Sequence, residues 1–315
     1  MGILVVGAAF VDIKGYPHDR YLPTGRNVGS IKYIHGGVAR NVVEDIANVE
    51  LRPTYLGMVD DTPLGSDVKE KLRKHKVNVD YVLTRPDGMG TWMVIFDNSG
   101  DVAGSISKRA DMMPLLEVLE EKGDEIVSNA DSIVVQVDLD KELLKKILEL
   151  AKKYNKKTYA LVSNMQIAAK RRDLIKYFDC FICNEEEAGI FFIDEYEHLE
   201  LEEMREILAK KVVDSKIPLM VVTMGSKGAV YATMEGDSGA VKAKKVQVKD
   251  TTGAGDAFCA GLAIGLTYGK SIRESVEIGS TLAASVIVSS DNVCPRFTPE
   301  EFGLDVVMEE SDGNC

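Results

Sequence analysis

Ser132-Ile133-Val134-Val135-Gln136-Val137, the run Glu142 to Asn155, and Thr158-Tyr159-Ala160-Leu161-Val162 together decide the fold class. The outer two pieces are short and rich in β-branched residues, as strands are. Between them Leu143, Leu144, Ile147, Leu148 and Ala151 recur at helical spacing, with Lys145, Lys146, Lys152 and Lys153 on the other face. The strands are too continuously apolar to keep a wet face. Two buried strands joined through an amphipathic helix make a parallel pair, because a parallel connection needs a crossover of about a dozen residues.

The same alternation extends outward. Ile3 to Val6, Cys180 to Cys183, Leu219 to Thr223 and Lys245 to Val248 read as further strands. The expected fold is α/β: three layers, α/β/α, around a central, mostly parallel sheet. Two regions break the pattern. Residues 13–35 are polar, rich in Gly and Pro, and end in the alternating run Ser30-Ile31-Lys32-Tyr33-Ile34. Residues 91–108 read as a hairpin, Thr91 to Phe96 and Asp101 to Ser107 around the turn Asp97-Asn98-Ser99-Gly100. They predict a small antiparallel sheet beside the main domain, placed to act as a lid. One domain is expected over residues 1–307, with lid segments at about 13–35 and 91–108, followed by a polar, frayed tail at 308–315.

Composition sets the outer limits. The 315 residues carry a net charge of -12, which argues against a broad nucleic-acid surface. Phosphate binding by backbone dipoles stays open to an acidic protein. The N-terminus starts on a short strand without a basic leader, and no apolar run is long enough to span a bilayer. Five scattered cysteines fit a reduced, cytoplasmic setting. Cys180 and Cys183 fall three apart in an extended strand and so point to opposite faces, which makes them core thiols rather than a metal or redox pair. His18, His35, His75 and His198 show no ligand spacing. A P-loop, the protein-kinase signatures and a dinucleotide fingerprint are all absent.

The chemistry concentrates in Asp250-Thr251-Thr252-Gly253-Ala254-Gly255-Asp256, which precedes the small-residue run Ala257 to Ala263. Glycines here sit where a loop becomes a helix N-terminus, where free N–H groups and the helix dipole favour an anion. Asp256 then falls in the first turn. A carboxylate there is either a cap or a general base beside an anion hole. A phosphoryl acceptor needs both the base and the fixed donors.

This segment resembles the signature of the ribokinase-like (phosphofructokinase-B type) family of sugar and nucleoside kinases. Four more features match that family in order: Asp12 closing a first strand, Gly36-Gly37-Val38-Ala39-Arg40-Asn41, Asn184-Glu185-Glu186-Glu187, and Thr223-Met224-Gly225-Ser226-Lys227-Gly228. The resemblance runs over roughly residues 2 to 300. It implies phosphoryl transfer from ATP with Mg²⁺ to a primary hydroxyl. Asp256 would be the base, and Gly253, Ala254 and Gly255 the anion hole. Asp12, Gly36, Gly37 and Asn41 would hold the sugar. Asn184, Thr223, Gly225, Ser226 and Gly228 would hold the nucleotide, and Glu187 would hold Mg²⁺ through water. Asp250 and Thr252 stand where the family binds a monovalent cation such as K⁺. A homodimer through the lid is also implied.

Each motif has a plainer reading: a turn cap for Asp12, a strand-to-helix turn at Gly36-Gly37, a solvated acidic helix start at Glu185 to Glu187, and a hairpin turn at residues 223–228. Among subgroups, Val11 to Tyr16, Gly36 to Asn41 and Phe96 to Asp101 look most like pseudouridine kinases, whereas Leu161-Val162-Ser163 departs from them. Ribokinase-like, fructokinase-like and other nucleoside kinase activities stay open. A non-catalytic sugar- or nucleotide-binding regulator and a nicotinamide-dependent oxidoreductase are the readings from other classes.

Overall fold

The computed structural model describes residues 2–305, so the polar tail lies outside the described residues. In chain order the strands are β1 (Leu4–Val6), β2 (Phe10–Pro17), β3 (Gly29–Gly36), β4 (Thr54–Val59), β5 (Val82–Thr84), β6 (Gly90–Phe96), β7 (Val102–Lys108), β8 (Ser132–Gln136), β9 (Lys157–Leu161), β10 (Cys180–Asn184), β11 (Leu219–Thr223), β12 (Gly228–Thr233) and β13 (Ser238–Lys242). The helices are α1 (Val38–Asn48), α2 (Pro63–Lys74), α3 (Pro114–Ser128), α4 (Lys141–Lys153), α5 (Met165–Ala168), α6 (Arg172–Ile175), α7 (Glu185–Phe192), α8 (Leu201–Ser215), α9 (Ala254–Thr267) and α10 (Ile272–Ile287).

Nine strands form one sheet in the order β13-β12-β11-β10-β9-β8-β1-β4-β5. Pairing is parallel from β5 to β11, and β12 and β13 extend it antiparallel. Alternate strand residues feed two apolar layers. Val5, Tyr159, Ile182 and Val221 meet α1, α2, α9 and α10. Val6, Val135, Phe181 and Val222 meet α3, α4, α7 and α8. Cys180 and Cys183 fall on opposite faces, both buried and unpaired. Helix α4 forms where its spacing predicts, and Leu150 joins the buried stripe while Leu148 is only half-buried. Among the described residues no helix is long and apolar enough to cross a membrane.

The second sheet has the order β3-β2-β6-β7. It corrects the sequence reading in two ways. It is mixed, because β2 pairs parallel with β6 although β2·β3 and β6·β7 are antiparallel. It also starts at Phe10, not residue 13, so Asp12 does not close the first strand: β1 ends at Val6 and Asp12 lies inside β2. A third correction falls on residues 245–248, which form no strand but an irregular segment. They follow the edge strand β13 without pairing to it, and Lys245, Val246 and Val248 line a cavity instead.

Candidate active site

Helix α9 is apolar all round, buried continuously from Ala257 to Gly265. A Cβ on Gly261 would meet Gly279 Cα at 2.7 Å, so the glycine pair lets α10 lie close. Against its other side packs α1, and this contact brings Asn41 to Asp256: Asn41 Nδ2 donates to Asp256 Oδ2 at 2.6 Å. The helix starts at Gly253, with φ of 84°; a Cβ there would lie 2.1 Å from Asn292 O. Only glycine allows both this conformation and this approach. Ala254 N–H is committed to Thr251 O at 3.2 Å, whereas the Gly253 and Gly255 amides find no acceptor among the described residues. The expected three-amide anion hole therefore has two free members and one shared.

The residues 251–256 divide two cavities. One, of about 310 Å³, takes Thr252, Gly253 and Asp256 on its wall with Asp12, Gly36, Gly37 and Asn41. The other, of about 670 Å³, takes Thr251, Ala254 and Gly255 with Asn184, Thr223, Gly225, Ser226 and Gly228. The residues expected to touch sugar thus all border the smaller cavity, and those expected to touch nucleotide all border the larger. Asp12 faces its cavity because β2 alternates: Asp12 pairs with Trp92, which pairs with Ser107, and this row lines the wall. Gly36 leaves room for the Asp12 carboxylate, which a Cβ would meet at 2.8 Å. Residues 223–228 do make the plainer hairpin turn between β11 and β12, yet that turn also walls the larger cavity.

Asn184 and Glu187 adopt the plainer reading as well. Asn184 Oδ1 accepts from Glu187 N at 2.7 Å and Glu187 Oε2 accepts from Asn184 N at 2.9 Å, a reciprocal cap of α7. Glu187 Oε1 keeps no protein donor among the described residues. Burial, with Glu186 and Asp138 nearby, holds the Glu187 carboxyl above its ordinary range despite the Asn184 amide. Asp250 Oδ1 accepts from Thr252 N at 2.9 Å. Partial burial pushes the Asp250 carboxyl up, but hydrogen bonds from Thr252 and Thr251 and the charge of Lys14 hold it below the ordinary value.

Asp256 is pushed up to about 7, first by burial and then by the negative charges of Glu187 and Asp12; the Asn41 hydrogen bond and the Arg40 charge pull the other way. A general base serves best with a pKa near the working pH. Asp12 is also raised by burial, moderated by Lys14 and Arg40. Arg40 itself is buried and bonds Glu44, Asn41 Oδ1 and the carbonyls of His35 and Gly36, tying the end of β3 to α1. Sequence reasoning missed Phe10, Trp92, Arg109, Asn164 and Asn292 around the smaller cavity, and Phe258, Ala284 and Ile287 around the larger. Trp92 alone had a signal, its place in an alternating strand.

The sequence profile of the pfkB family carbohydrate kinase matches residues 2–295. This chain belongs to the pfkB family. It is therefore a kinase, a phosphotransferase for a sugar or nucleoside. The guanosine-inosine kinase of Exiguobacterium acetylicum is 33% identical, covering 92% of this chain and 95% of its own length. The pseudouridine kinase of Escherichia coli (strain K12) is 27% identical over 87% and 86%. Among solved structures, Arabidopsis thaliana ribokinase complexed with ribose and ATP superposes with a TM-score of 0.83 at 22% identity, covering 93% of this pfkB kinase and 96% of itself. That last likeness concerns the fold.

Proposed function

We propose that this kinase transfers the γ-phosphoryl group of ATP to the primary hydroxyl of a nucleoside, with Asp256 as general base. The observation that carries the reading is the division of the two cavities by residues 251–256, so that an acceptor in one and a nucleotide in the other would meet at one carboxylate and one helix N-terminus. Asp256 takes the hydroxyl proton as the acceptor oxygen bonds to phosphorus and the bond from the γ-phosphorus to the β–γ bridging oxygen breaks. The Gly253 and Gly255 amides, with the shared Ala254 amide, face the charge on the transferring group. Asn184 and Glu187 would hold Mg²⁺ through water, since Mg²⁺ needs few protein ligands and Glu187 Oε1 is an undonated acidic oxygen. Mg²⁺ would supply charge neutralisation on the phosphates. Asp250, kept anionic, and Thr252 suit a monovalent cation such as K⁺.

The acceptor this reading favours is a purine nucleoside, on the strength of the 33% likeness to a guanosine-inosine kinase over nearly the whole chain. A second reading, pseudouridine, rests on the segments at residues 11–16, 36–41 and 96–101 and on the 27% likeness. ADP release with MgATP would be followed on guanosine, inosine, adenosine, uridine, pseudouridine, ribose and fructose, with and without K⁺. Turnover of guanosine and inosine is expected. Turnover of pseudouridine alone would transfer the case to the second reading, and turnover of ribose or fructose alone would make the protein a sugar kinase. No turnover on any acceptor would favour a binding protein.

The small sheet would close over the acceptor as a lid. Its outer face carries Ile31, Tyr33, Met93, Ile95 and Ile106, all exposed and on one side by register, which supports a second copy of the chain docking there. Buried, unpaired Cys180, Cys183, Cys259 and Cys294 support a reducing cytoplasmic setting.

Two further outcomes follow from this site. With Asp256 at about 7, kcat/KM for the acceptor should fall about tenfold per pH unit below roughly pH 6.5 and level off above pH 8. A profile flat to pH 5 would remove Asp256 from the role of base. Gly255→Ala should fold normally, because its Cβ meets nothing within 4 Å and Ala is the better helix former by about 0.5–1 kcal/mol. The added methyl would stand in the nucleotide cavity, so KM for ATP should rise about tenfold; an unchanged KM would show that phosphate does not approach this turn.

A further inference from the structure

We infer that Arg109 reads the base of the acceptor, and that the base it selects is a 6-oxopurine. This rests on the nucleoside reading above and deepens it. Arg109 directly follows β7 and lines the acceptor cavity together with Trp92, Ser163 and Asn164. Its position is built rather than loose. Arg109 Nη2 donates to Asp138 Oδ2 at 2.6 Å and to Asp138 O at 3.3 Å. The Asp138 side chain is fully buried, and it accepts from Gln136 Nε2 at 3.2 Å and from Ser163 N at 3.2 Å. Gln136 is held in turn, its Oε1 accepting from Ala8 N at 3.0 Å. A chain of side chains anchored in the main sheet thus fixes one edge of the guanidinium.

The other edge is available. A guanidinium offers five N–H donors in a planar fork. Among the described residues only Nη2 has a partner, and about a third of the side chain is exposed, 35%. Asp138 neutralises the charge, so this arginine is poorly suited to capture an anion. It presents paired donors to a neutral edge carrying two adjacent acceptors. The O6 and N7 atoms of guanine or hypoxanthine form such an edge; adenine replaces O6 with an N6 amino donor, which would oppose the fork. Trp92 stands in the same sheet row as Asp12 and offers an aromatic face to a base whose ribose Asp12 holds.

The test compares initial rates on inosine, guanosine and adenosine at fixed MgATP for the wild type, Arg109→Met, Arg109→Lys and Arg109→Gln. The wild type should prefer inosine to adenosine by about 10- to 100-fold in kcat/KM, the worth of one bidentate pair. Arg109→Met and Arg109→Lys, the second keeping the charge but not the fork, should bring that ratio toward one, mainly through the acceptor KM. Arg109→Gln should move it toward adenosine, because a carboxamide pairs with N6 and N7. ADP binding by calorimetry on each variant reports an intact nucleotide side. A wild type without preference for inosine, or a ratio unmoved in variants that bind ADP normally, would overturn the role of Arg109. Turnover of sugars and of no nucleoside would instead overturn the reading on which it rests.

Discussion

Asp256→Asn is expected to lower kcat by about three orders of magnitude while making the protein more stable at pH 8. Loss of a general base costs about 10²- to 10⁴-fold, and among the described residues no second carboxylate shares the hydrogen bond from Asn41. The stability gain follows from linkage. In the unfolded chain this carboxyl ionises near 3.8; in the fold, where burial opposes its charge, it ionises at about 7. Between those values the unfolded chain has already lost its proton, so folding takes one up. Stability therefore falls as pH rises from about 4 to 7, and the loss is complete above 7. An asparagine has no such term. Its carbonyl can accept from Asn41, so the variant should gain about 2–4 kcal/mol at pH 8, a rise in Tm on the order of 5 °C, and nothing at pH 4. Paired thermal melts at pH 4 and pH 8 check this. Near-wild-type turnover would remove the base, and a variant less stable at both pH values would contradict the account of its burial.

Arg40→Met should destabilise the fold by about 3 kcal/mol and disturb catalysis as a consequence. Arg40 and Glu44 are buried partners one helical turn apart. Removing one member of such a pair leaves an uncompensated buried charge, which costs about 3–5 kcal/mol. The lower end applies because Lys71 also approaches Glu44 Oε1, at 2.8 Å. The guanidinium also braces the His35 and Gly36 carbonyls, where the small sheet meets α1, and it lowers the pKa of Asp256. The acid limb of the pH profile should consequently shift upward. Urea unfolding at pH 7 measures the loss. The double variant Arg40→Met/Glu44→Gln should recover more than half of it, because neither charge then stays buried alone. A double variant as unstable as the single one would show that packing around the guanidinium, not charge, sets the effect.

The sequence by itself determined the features whose physics is local. A buried strand, a helix with one apolar stripe and another buried strand can be read within about thirty residues, so the parallel sheet and its layers were legible from 132–162. The proposed catalytic turn was legible for the same reason: Gly253, Gly255 and Asp256 fall within seven residues of loop and helix start. Alternation, however, says that a strand exists and not which partner it joins. Phe10 to Pro17 pairs with residues about 20 and 80 positions away, so the strand that holds Asp12 could not be assigned to its sheet from its own pattern. Residues 245–248 had a strand's composition, yet they pair with no strand and line a cavity beside α9 and α10 instead.

Tertiary structure alone decided the rest. Arg40, Asn41, Glu44, Asp45 and Asn48 recur at helical spacing on α1, a stripe that would ordinarily be the wet face. All five are buried, because α1 is flanked by α9 and by the segment around Asn292 and Cys294, and because most of their polar atoms find partners: Arg40 with Glu44, Asn41 with Asp256, Asp45 Oδ1 with the Cys294 amide, Asn48 with the Cys294 carbonyl. Trp92 and Arg109, from one hairpin, and Asn292, nearly 200 residues further on, reach the cavity of Asp12 and Asp256 from two distant parts of the chain. Such convergence has no period and no spacing. It arises only once the strands have chosen their neighbours.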